Sequence, residues 1–184
     1  MNARHVVSFP LVAILAGVVA LGGCATAPET PAARSDLKAA ATDALKQMQA
    51  QDPSLEEFLG RSAGYVVFPR IGKGGFIFGG GFGRGIVYES GAPIGYADIT
   101  QATVGFQIGG QALTEVLAFE TARDLQRFTS GRLSLTANAS AVILKTGAAA
   151  GTRYTDGVAV FIRPIGGAMA EAALGGQQFS FVPE

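Results

Sequence analysis

The chain has 184 residues, 48% of them apolar and 15% charged, with 26 glycines and a formal charge of zero. That length fits one domain, the apolar share excludes a chain disordered by composition, and the neutral balance leaves no global field for nucleic acid. Cys24 is the only cysteine and His5 the only histidine.

The N-terminus reads as a targeting segment. Arg4 gives a cationic start, residues 11–21 (LVAILAGVVAL) are an unbroken apolar run, and Leu-Gly-Gly-Cys closes at Cys24. Cationic start, short apolar core and small residues describe a secretory signal over residues 1–23. The run is shorter than the roughly 20 residues of an ordinary spanning helix; an uncleaved anchor or a short membrane helix is the alternative. LGGC resembles the lipobox of bacterial lipoproteins. That resemblance implies cleavage before Cys24 and lipid attachment at Cys24. Ala25 in the next position implies sorting to the outer membrane, with the domain facing the periplasm. Several acyl chains anchor stably where one is marginal. Cleavage would leave no thiol and no imidazole, which excludes Cys–His and Ser–His–Asp catalysis, thiolate zinc sites and histidine-ligated metals. Asp98, Glu115, Glu120 and Asp156 are too scattered to argue an acid–base pair. The expectation is a protein that is not an enzyme and needs no cofactor or metal.

Residues 24–34 (CATAPETPAAR) are rich in Pro, Ala and Thr and read as a lipidated flexible tether. The domain then spans residues 35–184. Ser35 is the expected cap of a first helix, with Leu37, Ala41, Ala44, Leu45 and Met48 as a narrow apolar stripe. That helix packs on the domain or lies on a membrane surface. Asp52-Pro53 starts a short second helix that turns Leu55, Phe58 and Leu59 inward and ends near Gly60. From Gly64 the pattern is that of strands: GYVVFP, ending at Pro69, then a glycine-rich stretch, then residues 99–111, 113–120, 133–145, 157–164 and 178–183. Between them Thr121-Ala-Arg-Asp124 resembles a capping box and opens a short helix near 121–129 that buries Leu125 and Phe128. The expected architecture is α+β: a curved antiparallel sheet, barrel-like in outline, with N-terminal helices.

The glycine-rich stretch, IGKGGFIFGGGFGRGIVYE over residues 71–89, matches neither phosphate-loop pattern. Gly72-Lys73 is followed by Gly74, not Ser or Thr, and the last glycine of GxGxxG is missing after Gly81 and Gly83. Period two fits instead. Phe76, Phe78, Phe82, Arg84, Ile86 and Tyr88 share one face; Gly75, Gly79, Gly81, Gly83 and Gly85 leave the other nearly bare. Glycine inside a strand weakens it unless the missing side chain is used. A sharp curvature would use it, and so would a groove filled by another segment or an acyl chain.

An Ala-rich helix, a short helix, GYVVFPRIGKGGFIFGGGFGRGIVYE and TVGFQIGGQALTEVLAF, in that order, resemble the SYLF domain, from about Ser35 to the C-terminus. The resemblance implies lipid binding, shared by bacterial members that are often lipoproteins. Eukaryotic members are linked to phosphoinositides and in some cases to actin. Those tend to carry Trp-Ser-x-Pro after the glycine ladder, where this chain reads Gly95-Tyr96-Ala97-Asp98, so actin recognition does not transfer.

Arg61, Arg70, Lys73 and Arg84 fall in a segment without any acid, and are the candidate lipid-binding residues. Each unopposed cation near an anionic surface contributes about 1 kcal/mol. The competing view is a set of solvated cations paired with Glu56, Glu57 or Glu89. Because Lys73 and Arg84 fall on opposite faces at period two, a shared headgroup requires a twist or bulge at residues 79–81. Membrane phospholipids are thus the expected partners, reached also through the Cys24 anchor. A structural or envelope-stress protein acting through protein contacts is the alternative.

Overall fold

The computed structural model describes residues 27–75, 78–104, 111–135, 141–165 and 176–184. The expected signal segment, Cys24 and the first part of the expected tether lie outside the described residues, as do Phe76, Ile77 and parts of the expected strands at 99–111 and 133–145. Among the described residues the fold is α+β, with three helices and one sheet of eight strands. The elements run α1 (Pro31–Gln51), α2 (Ser54–Arg61), β1 (Gly64–Gly75), β2 (Phe78–Glu89), β3 (Ala92–Val104), β4 (Gln111–Phe119), α3 (Ala122–Thr129), β5 (Ser134–Leu135), β6 (Ala141–Ile143), β7 (Val158–Ile165) and β8 (Gly176–Pro183). In the sheet the order is β5-β8-β3-β2-β1-β4-β7-β6.

The sheet is curled into a half-barrel, as expected. The proof lies in side chains from distant strands. Gln101 of β3 donates to Glu115 of β4 at 3.2 Å, although β2 and β1 stand between them. Gln177 of β8 reaches the same carboxylate at 3.0 Å. In a flat sheet, strand spacing alone would set these pairs about 14 and 19 Å apart. One expectation needs correction: β6 and β7 pair in parallel, so the sheet is mixed rather than wholly antiparallel. A parallel neighbour needs a crossover, and residues 144–157 supply it.

Curling gives the sheet an inside and an outside. Inside sit Val66, Phe68, Ile71, Val87, Ile99 and Leu117, closed at one end by Leu125 and Phe128 of α3. Outside, Val67, Ile86, Val116 and Phe161 are covered by Ala41, Ala44 and Met48 of α1 and by Leu55, Phe58 and Leu59 of α2. The bare face of β2 points inward. A methyl group on Gly83 would stand 2.7 Å from Ile71 Cγ1 and 3.2 Å from Ile99 Cγ2; one on Gly85 would stand 2.5 Å from the Val67 carbonyl and 2.7 Å from the Phe68 ring. At Gly83 and Gly85 the neighbours of β2 fill that space, which leaves no acyl groove there. The missing side chains serve curvature and close packing.

The glycine-rich stretch therefore holds the end of β1 and the whole of β2, two antiparallel partners. β1 runs on through Pro69 to Gly75 instead of ending at the proline, and its register shifts between Val67 and Arg70. A bulge there accommodates a residue that has no N–H for the ladder. The helix starts also differ from expectation. Thr30, not Ser35, caps α1, its Oγ1 accepting from Ala33 N at 3.1 Å, with Pro31 at the first helical position. Residues 31–34 of the expected tether are thus helical. Asp52 lies in the corner between α1 and α2, and Ser54 opens α2. Gly60 is inside α2, which ends one residue later. The capping box of α3 is present, with Thr121 Oγ1 2.5 Å from the Asp124 carboxylate.

Asp52 is fully buried and joins three parts of the chain. Its carboxylate accepts from Ser54 Oγ at 2.6 Å, Ala149 N at 2.7 Å, Gly147 N at 3.0 Å and Ser54 N at 3.1 Å. Burial opposes its charge, and the four donors outweigh burial, holding the carboxyl below its usual range. Its stabilisation is therefore complete above the unfolded value of about 3.9 and is lost as pH falls through the lower folded value.

Two substitutions test these points by urea unfolding of the protein lacking residues 1–26. Gly85→Ala is expected to lose about 1–3 kcal/mol through overpacking, whereas Gly80→Ala, with open space around the added methyl, is expected to lose nothing. Asp52→Asn is expected to lose about 1.5–3 kcal/mol at neutral pH. The gap from wild type should narrow below about pH 4, and a gap independent of pH would contradict the assignment.

Candidate functional site

Residues 27–30 lead into α1 across the outer face of β2 and β3. Pro28 is buried and Ala27 is half-buried against the outer core. Arg34, one turn into α1, donates through Nε to the Pro28 carbonyl at 2.9 Å, and its guanidinium lies 5.9 Å from the centre of the Tyr96 ring. Ala27, Pro28, Glu29, Thr30, Ala33 and Arg84 line a shallow hollow of about 300 Å³.

Arg84 stands directly opposite Arg70 in the β1–β2 register and opposite Asp98 in the β2–β3 register. Two like charges facing each other across a ladder are unfavourable; Asp98 relieves the pair, with Arg84 Nε 3.0 Å from its carboxylate. Arg70 is exposed and makes no ion pair among the described residues. Three cations (Arg34, Arg70, Arg84) and two acids (Glu29, Asp98) thus meet on one surface.

The other two candidates lie elsewhere. Arg61 ends α2 and pairs with Glu57 at 2.7 Å, both side chains well exposed. From Gly64 to Arg70 the strand alone covers about 20 Å, so Arg61 does not join Arg70. Lys73 pairs in register with Gly81 and Gln111, three positions beyond Arg70 in an unbroken ladder. The Lys73 side chain lies outside the described residues. The bulge expected at residues 79–81 is not there. From Phe78 to Val87 the β2–β3 register is continuous, and the irregularity sits in β1. Lys73 and Arg84 therefore do not meet the condition for sharing a headgroup.

Beyond α1 the outer face of the sheet is uncovered. Gly72, Gly80, Phe82, Thr100, Ala102 and Gln178 are all exposed there. Phe82 is 54% exposed, and the described residues hold just one other exposed large apolar side chain, Ile143. Phe82 and Arg34 were not among the sequence candidates. Phe82 had a visible signal, as the aromatic opposite a glycine face. Arg34 had none, because its place depends on a helix start that the sequence pattern put five residues later.

Two other features compete for attention. A larger hollow of about 730 Å³ lies between α3 and residues 155–158. Its charged lining is Glu120, Asp124 and Asp156 against Arg123 and Arg127. Arg127 is engaged by Asp124 at 3.2 Å and by the Asp156 carbonyl at 3.3 Å. The Asp124 carboxyl is held below its usual range, first by the Thr121 hydroxyl, then by Arg127. This hollow offers an anion little. Inside the half-barrel, Gln101, Glu115 and Gln177 form a buried polar cluster. Its hydrogen bonds link three strands. Among the described residues no group of three or more His, Cys, Asp or Glu side chains is placed to hold a metal. No described helix is long and apolar enough to cross a membrane.

A strongly curled α+β half-barrel with a glycine-lined inner strand is the frame in which the comparison with known families falls. Residues 100–180, from the end of β3 to most of β8, match the family model described as "Ysc84: Las17-binding protein actin regulator". The matched segment lies within the stretch whose motifs resemble the SYLF domain. No curated protein matches the sequence.

Proposed function

We propose that this protein is a non-catalytic lipoprotein, anchored in the outer membrane through Cys24 with its domain in the periplasm, whose SYLF domain binds anionic phospholipid headgroups. The observation that carries the headgroup reading is the register pair Arg70–Arg84 on the outer face, beside the point where the chain arrives from Cys24. Arg34 adds a third cation from α1. The local surplus over Glu29 and Asp98 is a single charge, so attraction is modest and salt-sensitive. Its role is to hold an already tethered domain, not to recruit one from solution. The family description concerns a Las17-binding actin regulator; the alternative of a protein-docking role for this chain draws on that description.

Vesicle flotation of the protein lacking residues 1–26 tests the headgroup reading free of the anchor. Binding to vesicles containing phosphatidylglycerol is expected, with little to pure phosphatidylcholine. Arg70→Gln should weaken it about fivefold, the equivalent of about 1 kcal/mol for one cation near an anionic surface. Arg61→Gln should change nothing. Binding that ignores both lipid charge and Arg70 would sink the headgroup mechanism, and no binding to any vesicle would favour the protein-docking role.

A further inference from the structure

Ala27 and Pro28 are packed on the domain, so residues 25 and 26 alone separate them from Cys24. Three backbone steps span at most about 10 Å. A lipid on Cys24 would bring the membrane interface to within about that distance of Ala27. The domain would have no loose tether on which to turn, and the surface beside Ala27 would have to face the bilayer.

That surface is the outer face of β2, β3 and β8. Its α1 side carries Arg84, with Arg70 of the neighbouring β1 opposite it. Past them comes an exposed, uncharged area, Phe82 beside Thr100 and Gln178, in which neighbouring strands pair Phe82 with Thr100 and Thr100 with Gln178. An outer face of this kind, with one aromatic standing out and cations along one margin, suits an anionic bilayer: cations meet phosphates while the ring enters the interfacial zone. Ile143, the other exposed large apolar residue, is on β6 at the far edge of the sheet, four strands from β2.

Resting on the lipid-anchor reading above, we propose that a bilayer surface covers the outer face of β2, β3 and β8, with Phe82 entering the interface and the short lead from Cys24 setting the orientation. The domain lies on the membrane by this face and presents β6, β7 and α2 away from it.

The chain contains no tryptophan, so Phe82→Trp and Ile143→Trp each give a single reporter at an exposed site. Both full-length variants are purified from membranes and reconstituted into phosphatidylethanolamine–phosphatidylglycerol vesicles, with and without bromine on the upper acyl chain. An interfacial group sits roughly 5–10 Å below the headgroups, so Phe82→Trp is expected to shift to the blue and to be quenched about twofold by the brominated lipid. Ile143→Trp is expected to show neither effect. Protein that floats with the vesicles while Phe82→Trp stays unquenched, or while Ile143→Trp is quenched equally, overturns the orientation and leaves the anchor standing. Protein that does not float overturns the anchor itself and the orientation with it. A blue shift of Phe82→Trp already present in detergent, with a dimeric mass, assigns the face to a second copy of the chain and overturns the proposal.

Discussion

The closing of β1 and β3 over the bare inner face of β2 is the contact on which the rest of the structure depends. Side chains at residues 83 and 85 would occupy the space now held by Ile71, Ile99 and Phe68. Without those side chains, the strands on either side of β2 fold toward each other. Gln101 and Gln177 then reach Glu115 across strands that would otherwise hold them apart. Glycine within a strand weakens it locally; here the curvature it permits brings an entire inner core together, with Phe68, Phe128 and Phe179 in ring contact.

The same constraint decides what is left outside. Once the glycines of β2 face in, its alternate residues must face out, because side chains alternate along a strand. Ile86 and Tyr88 are taken up by α1 and the outer core. Arg84 sits at the margin of that cover and Phe82 beyond it. The surface we assign to lipid is therefore the reverse side of the packing that curls the sheet. Asp52 sets how far the cover extends, by tying the α1–α2 corner to the backbone of residues 147 and 149. The crossover that makes β6 parallel to β7 is held down by the same bonds.

Much of this was legible in the sequence. Period two between residues 78 and 88 identified β2 and its two unlike faces, and the stripe of Ala41, Ala44 and Met48 identified the packed side of α1. Thr121 and Asp124 announced α3 because a capping box is a local interaction. The unread parts depend on contacts between distant residues. Nothing near Pro69 says that β1 continues past it, since the bulge is accommodated by partners in β2 and β4. Whether the glycine face points in or out follows from Ile71 and Ile99, not from the glycines. Four cations in one acid-free segment looked like one cluster; the length of β1 and its bulge set Arg61 apart from Arg70 and Arg84. Arg70 and Arg84 meet because the register sets them opposite each other, and Arg34 joins them because α1 starts at Pro31.

A double-mutant cycle between residues 71 and 83 tests the claim that inward packing against β2 shapes the domain. Gly83→Ala and Ile71→Ala would each be measured alone and together by equilibrium unfolding. If the added methyl is unfavourable because Ile71 already fills its place, removing the Ile71 side chain relieves part of the loss. The two changes should then couple by about 1 kcal/mol or more, within the range seen for residues in contact. Strict additivity would contradict the account, since it would mean that Gly83 is bare for a reason unrelated to the strand that closes over it.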